Sequence, residues 1–453
     1  MLPRGAMANA PRRPSVLEQL RAAMPELTVL TDPTSMAGFT SDWTGHWTSN
    51  PLAVVQPTTT EQVGEILQWA SAHAIHVITQ GGNTGLVGGS VGGSSPHIIL
   101  STKNLRSYAA IDHQRRTLTA SAGFTLGEIQ EMARSEQFDY PVDIAARDSA
   151  TIGGTVATNA GGIRVIAHGM TSAHVVGLEV VLSDGTIIDA VDKLPKDNTG
   201  PDWLRLFIGS EGTLGVITAV TVQLSEQRNP LWTALIPVTS IDQAVEMGLS
   251  LAPAVLAAEI ISTASANEVA TVAQLTPLGT DTRWWLLLEA DCDFESAMER
   301  IEFPEETILA QQPSDVERLW TYRERHTEMI SRHNNVVKLD VSVPLSQLNS
   351  FIFEVSKLVP KYAPTADCLY AFGHVLDGNI HISVRDVTDE KGLTEAVLNL
   401  VVECDGAISA EHGIGRMKTP YWAEHQPAFQ LTVWRGIRKS LDRAGVMNPE
   451  VLS

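Results

Sequence analysis

An α+β fold of more than one domain is predicted for this chain by three features. Capped helical segments alternate with short apolar runs, glycine-rich loops are confined to the part before about residue 225, and a later segment alternates apolar and polar residues in strand fashion. At 453 residues the chain also exceeds the length that one hydrophobic core usually supports, so two or three domains are expected.

Taken in order, LAVVQP at 52–57 reads as a strand. Thr58 with Glu61 supplies a capping box for a helix carrying Val63, Ile66, Leu67 and Ala70 at helical spacing. A strand at Ile75–Thr79 completes a strand–helix–strand crossover. It runs directly into QGGNTGLVGGSVGGSS, in which seven of 16 residues are glycine. Thr125 and Glu128 cap a second helix with Leu126, Ile129 and Met132 on one side. Strands at Leu178–Leu182 and Thr186–Ile188 are joined through Asp184-Gly185, a two-residue hairpin signal. Beyond the glycine clusters, Pro313 and Ser314, with Glu317 three residues on, open a helix that carries Trp320, Arg323, Thr327 and Ile330 to about Arg332. VVKLDVSVP then places Val337, Leu339 and Val341 on one face of a strand, with Lys338, Asp340 and Ser342 on the other.

Composition excludes several classes of function. A formal charge of −20 opposes nucleic acid and anionic membrane surfaces, and an anionic substrate would need locally placed cations. With 43% apolar and 19% charged residues, and no window near the about 18 consecutive apolar residues of a membrane span, a soluble protein without a transmembrane segment is expected. Cys292, Cys368 and Cys404 lie far apart with no CxxC spacing, which excludes a four-cysteine iron–sulfur cluster and fits a reducing cytoplasm. Residues 1–14 carry Arg4, Arg12 and Arg13 but lack the apolar core of a secretory signal, so a disordered start is expected there.

Three glycine segments need an explanation. That at 80–95 lies between two strands, where a plain linker is seldom inserted, and it is neither a P-loop nor the G-x-G-x-x-G of a Rossmann helix. ATIGGTVATNAGG at 150–162 adds hydroxyl and amide partners, and FIGSEGTLGVIT at 207–218 leads into an apolar alternating strand. Together they indicate a long phosphate-bearing cofactor laid across several loops.

These motifs, with LEVVLSDGT and KDNTG between them, resemble the flavin domain of the vanillyl-alcohol-oxidase superfamily. With GHVLDGNIH and AEHGIG downstream, residues 50–450 are similar to its D-2-hydroxyglutarate dehydrogenase and D-lactate dehydrogenase group. The resemblance implies an N-terminal helix and a two-part PCMH-type FAD-binding domain at 1–228. It further implies an α+β substrate-binding domain at 229–405 and a C-terminal segment at 406–453 returning to the flavin. It assigns to FAD contact Gln80, Gly81, Gly82, Asn83, Thr84, Gly85, Leu86 and Ser90 of the first loop, and Asp143. From the second loop come Thr151, Ile152, Gly153, Gly154, Thr155, Thr158, Asn159 and Gly162, joined by Ile217 and by Asn448 of MNPEVL. The first loop contains no His or Cys, so the FAD is expected to be non-covalent.

The stretch GHVLDGNIHIS at 373–383 raises the question of a metal. If Asp377-Gly378 is a two-residue turn, paired positions sum to 755, His374 faces His381, and their Cβ atoms lie about 5 Å apart on one sheet face. A satisfied surface pair is the alternative for two lone histidines. Glu411 of SAEHGIG would complete a set of two His and one Glu, a catalytic zinc donor set, and the resemblance gives these three that role. His412, the neighbour of Glu411, is left free as a base, histidine being the side-chain type suited to proton transfer near neutral pH.

In the chemistry that follows, a D-2-hydroxy acid chelates the metal through a carboxylate oxygen and its hydroxyl, His412 takes the hydroxyl proton, and the Cα hydride passes to flavin N5. By resemblance, Arg323, Thr327 and Lys338 clamp substrate carboxylates, and Asn379 and Ser383 lie at the substrate. Ser383 is a departure, since the hydroxyglutarate enzymes usually have Asn there. The expected activity is FAD- and divalent-metal-dependent, with zinc as the ion, and oxidises D-2-hydroxyglutarate to 2-oxoglutarate. D-lactate and D-malate are the rival substrates. A non-redox flavoenzyme of the superfamily and a flavin-containing binding protein are more distant alternatives. There is no second redox centre or NAD fingerprint, so an electron-transfer flavoprotein, a quinone or a cytochrome is the expected acceptor; a homodimer is compatible with the sequence.

Overall fold

The computed structural model describes residues 15–194, 196–364 and 368–453, and the expectation of a disordered start at 1–14 lies outside them. Helices and strands alternate along the chain in an α+β arrangement of three sheets whose order follows the sequence. The first sheet is built from β1 (Thr28–Leu30), β2 (Ala53–Gln56), β3 (His76–Gln80) and β4 (His97–Ser101), in the order β1-β2-β4-β3. β2, β4 and β3 run parallel, and β1 is antiparallel to β2. The crossover between β2 and β3 is helix Thr60–His73, whose Val63, Ile66, Leu67 and Ala70 are fully buried. Burying the Val63, Ile66 and Leu67 side chains contributes about 1.5–3 kcal/mol each. Its cap lies one residue later than the sequence pattern indicates. Thr59, extended at φ −131°, accepts from the Gln62 amide, while the Thr58 amide donates to Gln62 Oε1, so Glu61 makes no capping box.

The second sheet comprises β5 (Ala109–Asp112), β6 (Thr117–Ser121), β7 (Val175–Val181), β8 (Ile187–Ala190) and β9 (Val216–Gln223), all antiparallel, in the order β5-β6-β9-β7-β8. Helix Leu126–Ser135 carries the expected capping box between Thr125 and Glu128. Two sequence expectations are corrected. The β7–β8 hairpin turns through three residues, 183–185, because Leu182 pairs with Thr186 and Gly185 takes the left-handed position at φ +83°. β9 does not alternate: seven of its eight residues are buried, as suits a central strand covered on both faces.

The third sheet has seven antiparallel strands. β10 (Trp232–Val238), β11 (Val255–Ser262), β12 (Trp284–Ala290), β13 (Ile308–Ala310), β14 (Val337–Ser342), β15 (Leu369–His374) and β16 (Asn379–Val384) stand in the order β13-β10-β12-β11-β15-β16-β14. One face forms the largest core cluster, against helices Ile241–Leu251, Leu345–Leu358 and Glu390–Glu403. The other is partly covered by helices Thr263–Ala273 and Pro313–Glu324 and the short helix His326–Ile330, and the remainder is left for the site.

The helix expected to run from Pro313 to Arg332 is broken at Arg325 (φ −80°, ψ 4°). The buried imidazole of His326 explains the break, because its Nδ1 takes the Arg323 carbonyl at 2.9 Å, a group the helical ladder would otherwise use. Ser314 is not the cap; Gln312 holds that position and Pro313 follows at the first helical residue. Beyond helix Ala428–Leu441 the chain returns to the first sheet. The Val77 amide donates to Val446 O at 2.8 Å and the Asn448 amide to Val77 O at 3.0 Å, so 446–448 closes the outer edge of β3. Among the described residues, no helix is long and apolar enough to cross a membrane.

Candidate functional site

The first two glycine loops meet backbone to backbone at the ends of β3 and helix Ile152–Thr158. A Cβ on Gly82 would fall 2.1 Å from Ser149 O, and one on Gly162 1.7 Å from Asp143 O, so glycine is required at both. Asn83 binds the first loop to the N-terminal segment through Ser41 O at 2.8 Å, and accepts from Ser90 Oγ at 2.8 Å. Thr151 caps helix Ile152–Thr158, and Asn159 ends it in a left-handed conformation, accepting the Ser172 amide at 2.9 Å. Thr155 and Ile217 are buried beside these loops. Gly82, Thr125, Ser149 and Thr151 share a cavity of about 290 Å³ with the side chains of Lys103 and Arg106, two cations that sequence reading did not select.

The third loop supplies the joint between the cradle and the C-terminal segment. Glu211 donates its amide to Ala157 O (2.8 Å), and its carboxylate accepts the amides of Ile414 (2.7 Å) and Gly415 (2.8 Å). Asn448 Nδ2 donates to both Gly89 O and Glu211 O, at 3.0 and 2.9 Å. The buried oxygens Asn448 Oδ1 and Gln80 Oε1 have no protein partner, and a Cβ on Gly85 would meet open space. Unsatisfied acceptors and an open glycine within one cradle are what a polar cofactor such as FAD would complete.

At the opposite side of the Glu211 joint lie the histidines. Phe372 pairs with His381, so paired positions sum to 753 and not 755, and the turn takes the four residues 375–378. The neighbouring strands recruit the turn: the Val375 amide donates to Ala258 O, and Gly378 O accepts from the Val343 amide. A shift of two residues preserves the face, so His374 and His381 still project together, diagonally, with ring centroids 6.0 Å apart. His374 Nε2 lies 2.7 Å from Glu411 Oε1, and His381 Nε2 lies 3.9 Å from Glu411 Oε2. One donor atom from each of these three residues falls within 4.8 Å of the others, the one cluster of its kind among the described residues.

The far nitrogens face carboxylates. His374 Nδ1 bonds the fully buried Glu259, and His381 Nδ1 lies 3.7 Å from Asp340 Oδ1. That arrangement orients imidazoles as metal donors, so the residues fit a divalent cation. Burial disfavours a charged His374, but Glu259 and Glu411 on either side outweigh it and raise its pKa well above the usual range. Burial likewise pushes the Glu411 carboxyl up, and the neighbouring His374 and His381 overcome this and hold it at about 2. His381 is lowered to about 4, chiefly by burial.

His412 stacks on His381 with ring centroids 5.9 Å apart and planes 23° apart, its Nδ1 3.5 Å from Asp340 Oδ2. Asp340 itself is only 2% exposed, although strand alternation grouped it with the solvent-facing Lys338. Both residues do share a face, but at Asp340 that face is covered by the site, while at Lys338 it is open to water. Asp340, Glu259 and Glu211 were missed from sequence. Glu259 left a signal, as the lone charge in the apolar run VLAAEIIS.

Arg323 is anchored, with Nε on Glu259 and its guanidinium 4.8 Å over the Phe372 ring. Thr327 belongs to the short helix beyond the break and is exposed. Lys338, Ser383 and Tyr370 form one cross-strand row, one step along from Asp340, His381 and Phe372. Ser383 is buried, whereas Lys338 is exposed and forms no ion pair among the described residues. Asn379 donates to Asp340 Oδ1 (2.8 Å) and Val341 O (3.0 Å), which makes it a support of Asp340.

Comparison with known proteins identifies the two parts of the chain. Residues 51–190 match the family described as FAD binding domain, and 230–452 match FAD linked oxidases, C-terminal domain. The chain is 34% identical over 452 residues to a D-2-hydroxyglutarate dehydrogenase of Xanthomonas citri pv. viticola, covering 95% of each. It is 33% identical to the mitochondrial D-2-hydroxyglutarate dehydrogenase of Danio rerio, over 96% of this chain and 84% of that one. A D-2-hydroxyglutarate–pyruvate transhydrogenase of Saccharomyces cerevisiae is 29% identical, over 92% and 89%. Among solved structures, an alkyldihydroxyacetonephosphate synthase superposes with a TM-score of 0.72 at 14% identity, covering 98% of this chain and 86% of that one, a likeness of fold.

Proposed function

The chain belongs to the FAD-linked oxidases, and from that premise we propose that it is a dehydrogenase that oxidises a D-2-hydroxy acid, foremost D-2-hydroxyglutarate, with the help of a divalent metal ion. The observation that carries this reading is the convergence of His374, His381 and Glu411 directly beside His412. The chemistry supplied by the two bound groups is Lewis acidity toward the substrate hydroxyl, from the metal ion, and acceptance of the Cα hydride, by FAD.

The chain's own residues do the rest. His374 and His381 offer Nε2, aimed by the carboxylates at their Nδ1 atoms, and Glu411 adds an anionic oxygen. His412 has Nδ1 turned to Asp340, which leaves Nε2 to take the hydroxyl proton. Lys338 and Arg323 hold substrate carboxylates. The glycine loops, with Thr151, Asn159, Ile217 and Asn448 among the residues named above, hold FAD without a covalent bond. We assign the cofactor-binding part to 1–228, the substrate-binding part to 229–405 and the returning segment to 406–453. Two electrons leave with each turnover, to an electron-transfer flavoprotein, a quinone or a cytochrome.

A monocarboxylate such as D-lactate is the second reading, favoured by one observation. Arg323 is already engaged by Glu259, so Lys338 is the single unpaired cation in this pair for a far carboxylate. Anaerobic mixing of the flavin-loaded protein with D- and L-2-hydroxy acids, followed at the flavin absorbance, tests the proposal. Bleaching by D-2-hydroxyglutarate is expected; a flavin that no 2-hydroxy acid bleaches would sink it.

A further inference from the structure

We propose that Asp340 is a positioning residue of this centre: one buried carboxylate that fixes the metal donor His381, the backbone of Glu411 and the base His412 relative to one another. The roles of those three residues rest on the function proposed above; the placement of Asp340 rests on geometry.

Both carboxylate oxygens are fully employed. Oδ1 accepts from Asn379 Nδ2 at 2.8 Å and faces His381 Nδ1 at 3.7 Å. Oδ2 accepts the amides of Glu411 and His412 at 2.9 and 3.0 Å and faces His412 Nδ1 at 3.5 Å. All five neighbouring atoms are nitrogens able to donate, so only a group that accepts at both ends satisfies them. The carboxamide of asparagine has one accepting end and would set its NH2 against donors at the other. The buried ammonium of Lys418, 3.0 Å from the Asp340 carbonyl, compensates the charge of the carboxylate at this depth.

The location gives this arrangement its leverage. Asp340 sits directly opposite His381 across the β14–β16 ladder, and two residues on Ser342 bridges Ala407, just before the SAEHGIG loop. A rigid strand therefore carries one anion that reaches a donor on β16 and a base on the loop. Because each imidazole presents Nδ1 to Asp340, each keeps Nε2 available; in His381 it faces Glu411, and in His412 it is the nitrogen that the proposed reaction would use. A residue needed only for folding would show in thermal stability. One that sets two separate groups must show in two separate functional measurements.

The test uses the flavin-loaded full chain with Asp340→Asn. Zinc affinity is measured by competition with a chromophoric chelator, and flavin reduction anaerobically at saturating zinc and D-2-hydroxyglutarate. Zinc Kd is expected to rise about 10–100-fold, and the zinc-saturated reduction rate to fall about 10–100-fold. The substrate concentration for half-maximal rate should stay within about threefold, since Asp340 touches no substrate group. In a His412→Ala background Asp340→Asn should slow reduction by no more than about threefold, because the two act on one step. If either the zinc Kd or the zinc-saturated rate of the single variant lies within about twofold of wild type, the proposal is overturned. Should Asp340→Asn not fold, Asp340→Glu, which keeps the charge and displaces it by one methylene, is judged by the same criteria. A wild-type flavin that no 2-hydroxy acid reduces would refute the proposed function alone, and the zinc measurement would still decide on Asp340.

Discussion

Replacing Lys338 by alanine asks where a second substrate carboxylate sits. Lys338 is an exposed residue of β14 with no ion pair among the described residues, so its removal strands no buried charge and should change folding stability by less than about 0.5 kcal/mol. A charge-assisted hydrogen bond from its ammonium to a carboxylate contributes about 1.5–3 kcal/mol, so Lys338→Ala should lower kcat/KM for D-2-hydroxyglutarate by about 10–150-fold. D-lactate has no second carboxylate and should lose less than about threefold. Arg323 is a poorer probe. Its guanidinium is tied to the fully buried Glu259 and lies over Phe372, so Arg323→Ala also removes a partner from a buried carboxylate, a loss that destabilises by about 3–5 kcal/mol. Both substrates should fall with that variant, together with the melting temperature. The assay is the rate of flavin reduction over a range of each substrate, with melting curves as control. Equal losses on the two substrates in Lys338→Ala would show that lysine to hold the carboxylate beside the hydroxyl, and would end the preference for a diacid.

The purified protein should be yellow and give up its FAD on acid precipitation, since residues 80–95 offer no His or Cys to bond it; colour kept in the pellet refutes this. Chelation of the metal should abolish turnover and leave the flavin absorbance with the protein, because the His/Glu cluster and the glycine loops are separate segments; undiminished turnover in metal-free protein would overturn the three-ligand assignment. His326 gives a pH dependence of stability. Burial, followed by the Arg323 charge, lowers its pKa to about 3 from 6.5, so its neutral form is the one folded. Its contribution is fully present above about pH 6.5 and is lost as pH falls toward 3. His326→Asn should flatten the melting temperature over that window; a limb as steep as in wild type would exclude His326 as its source.

Much of the site was legible because its signals are local. Glycines required by close backbone approach, the Thr125–Glu128 box and the alternation of 337–342 are patterns within a few residues. His374 and His381 were placed on one face despite a wrong turn, because a register error of two residues preserves the face. What the sequence hid was contact between distant segments. Asp340 went unselected because alternation distinguishes two faces without saying what covers each. The break at Arg325 depends on a buried partner for His326, Ser265 Oγ at 2.9 Å, supplied from 61 residues away. Glu211, in a loop read only for its glycines, became a joint through amides 203 and 204 residues downstream.

The clasp formed by Asn448 has a consequence for how the protein comes into being. It secures Gly89, 359 residues earlier in the chain, and Glu211 in the third loop. At a synthesis rate of about 5–20 residues per second, 359 residues correspond to roughly 20–70 s between translation of the first loop and arrival of the residue that pins it. Throughout that interval the outer edge of β3 is uncovered and the Gly89 and Glu211 carbonyls lack their amide partner. If these loops hold FAD as proposed, firm capture of the flavin waits for the segment around Asn448, and nascent chains stalled before residue 446 should hold FAD more weakly than chains that include it.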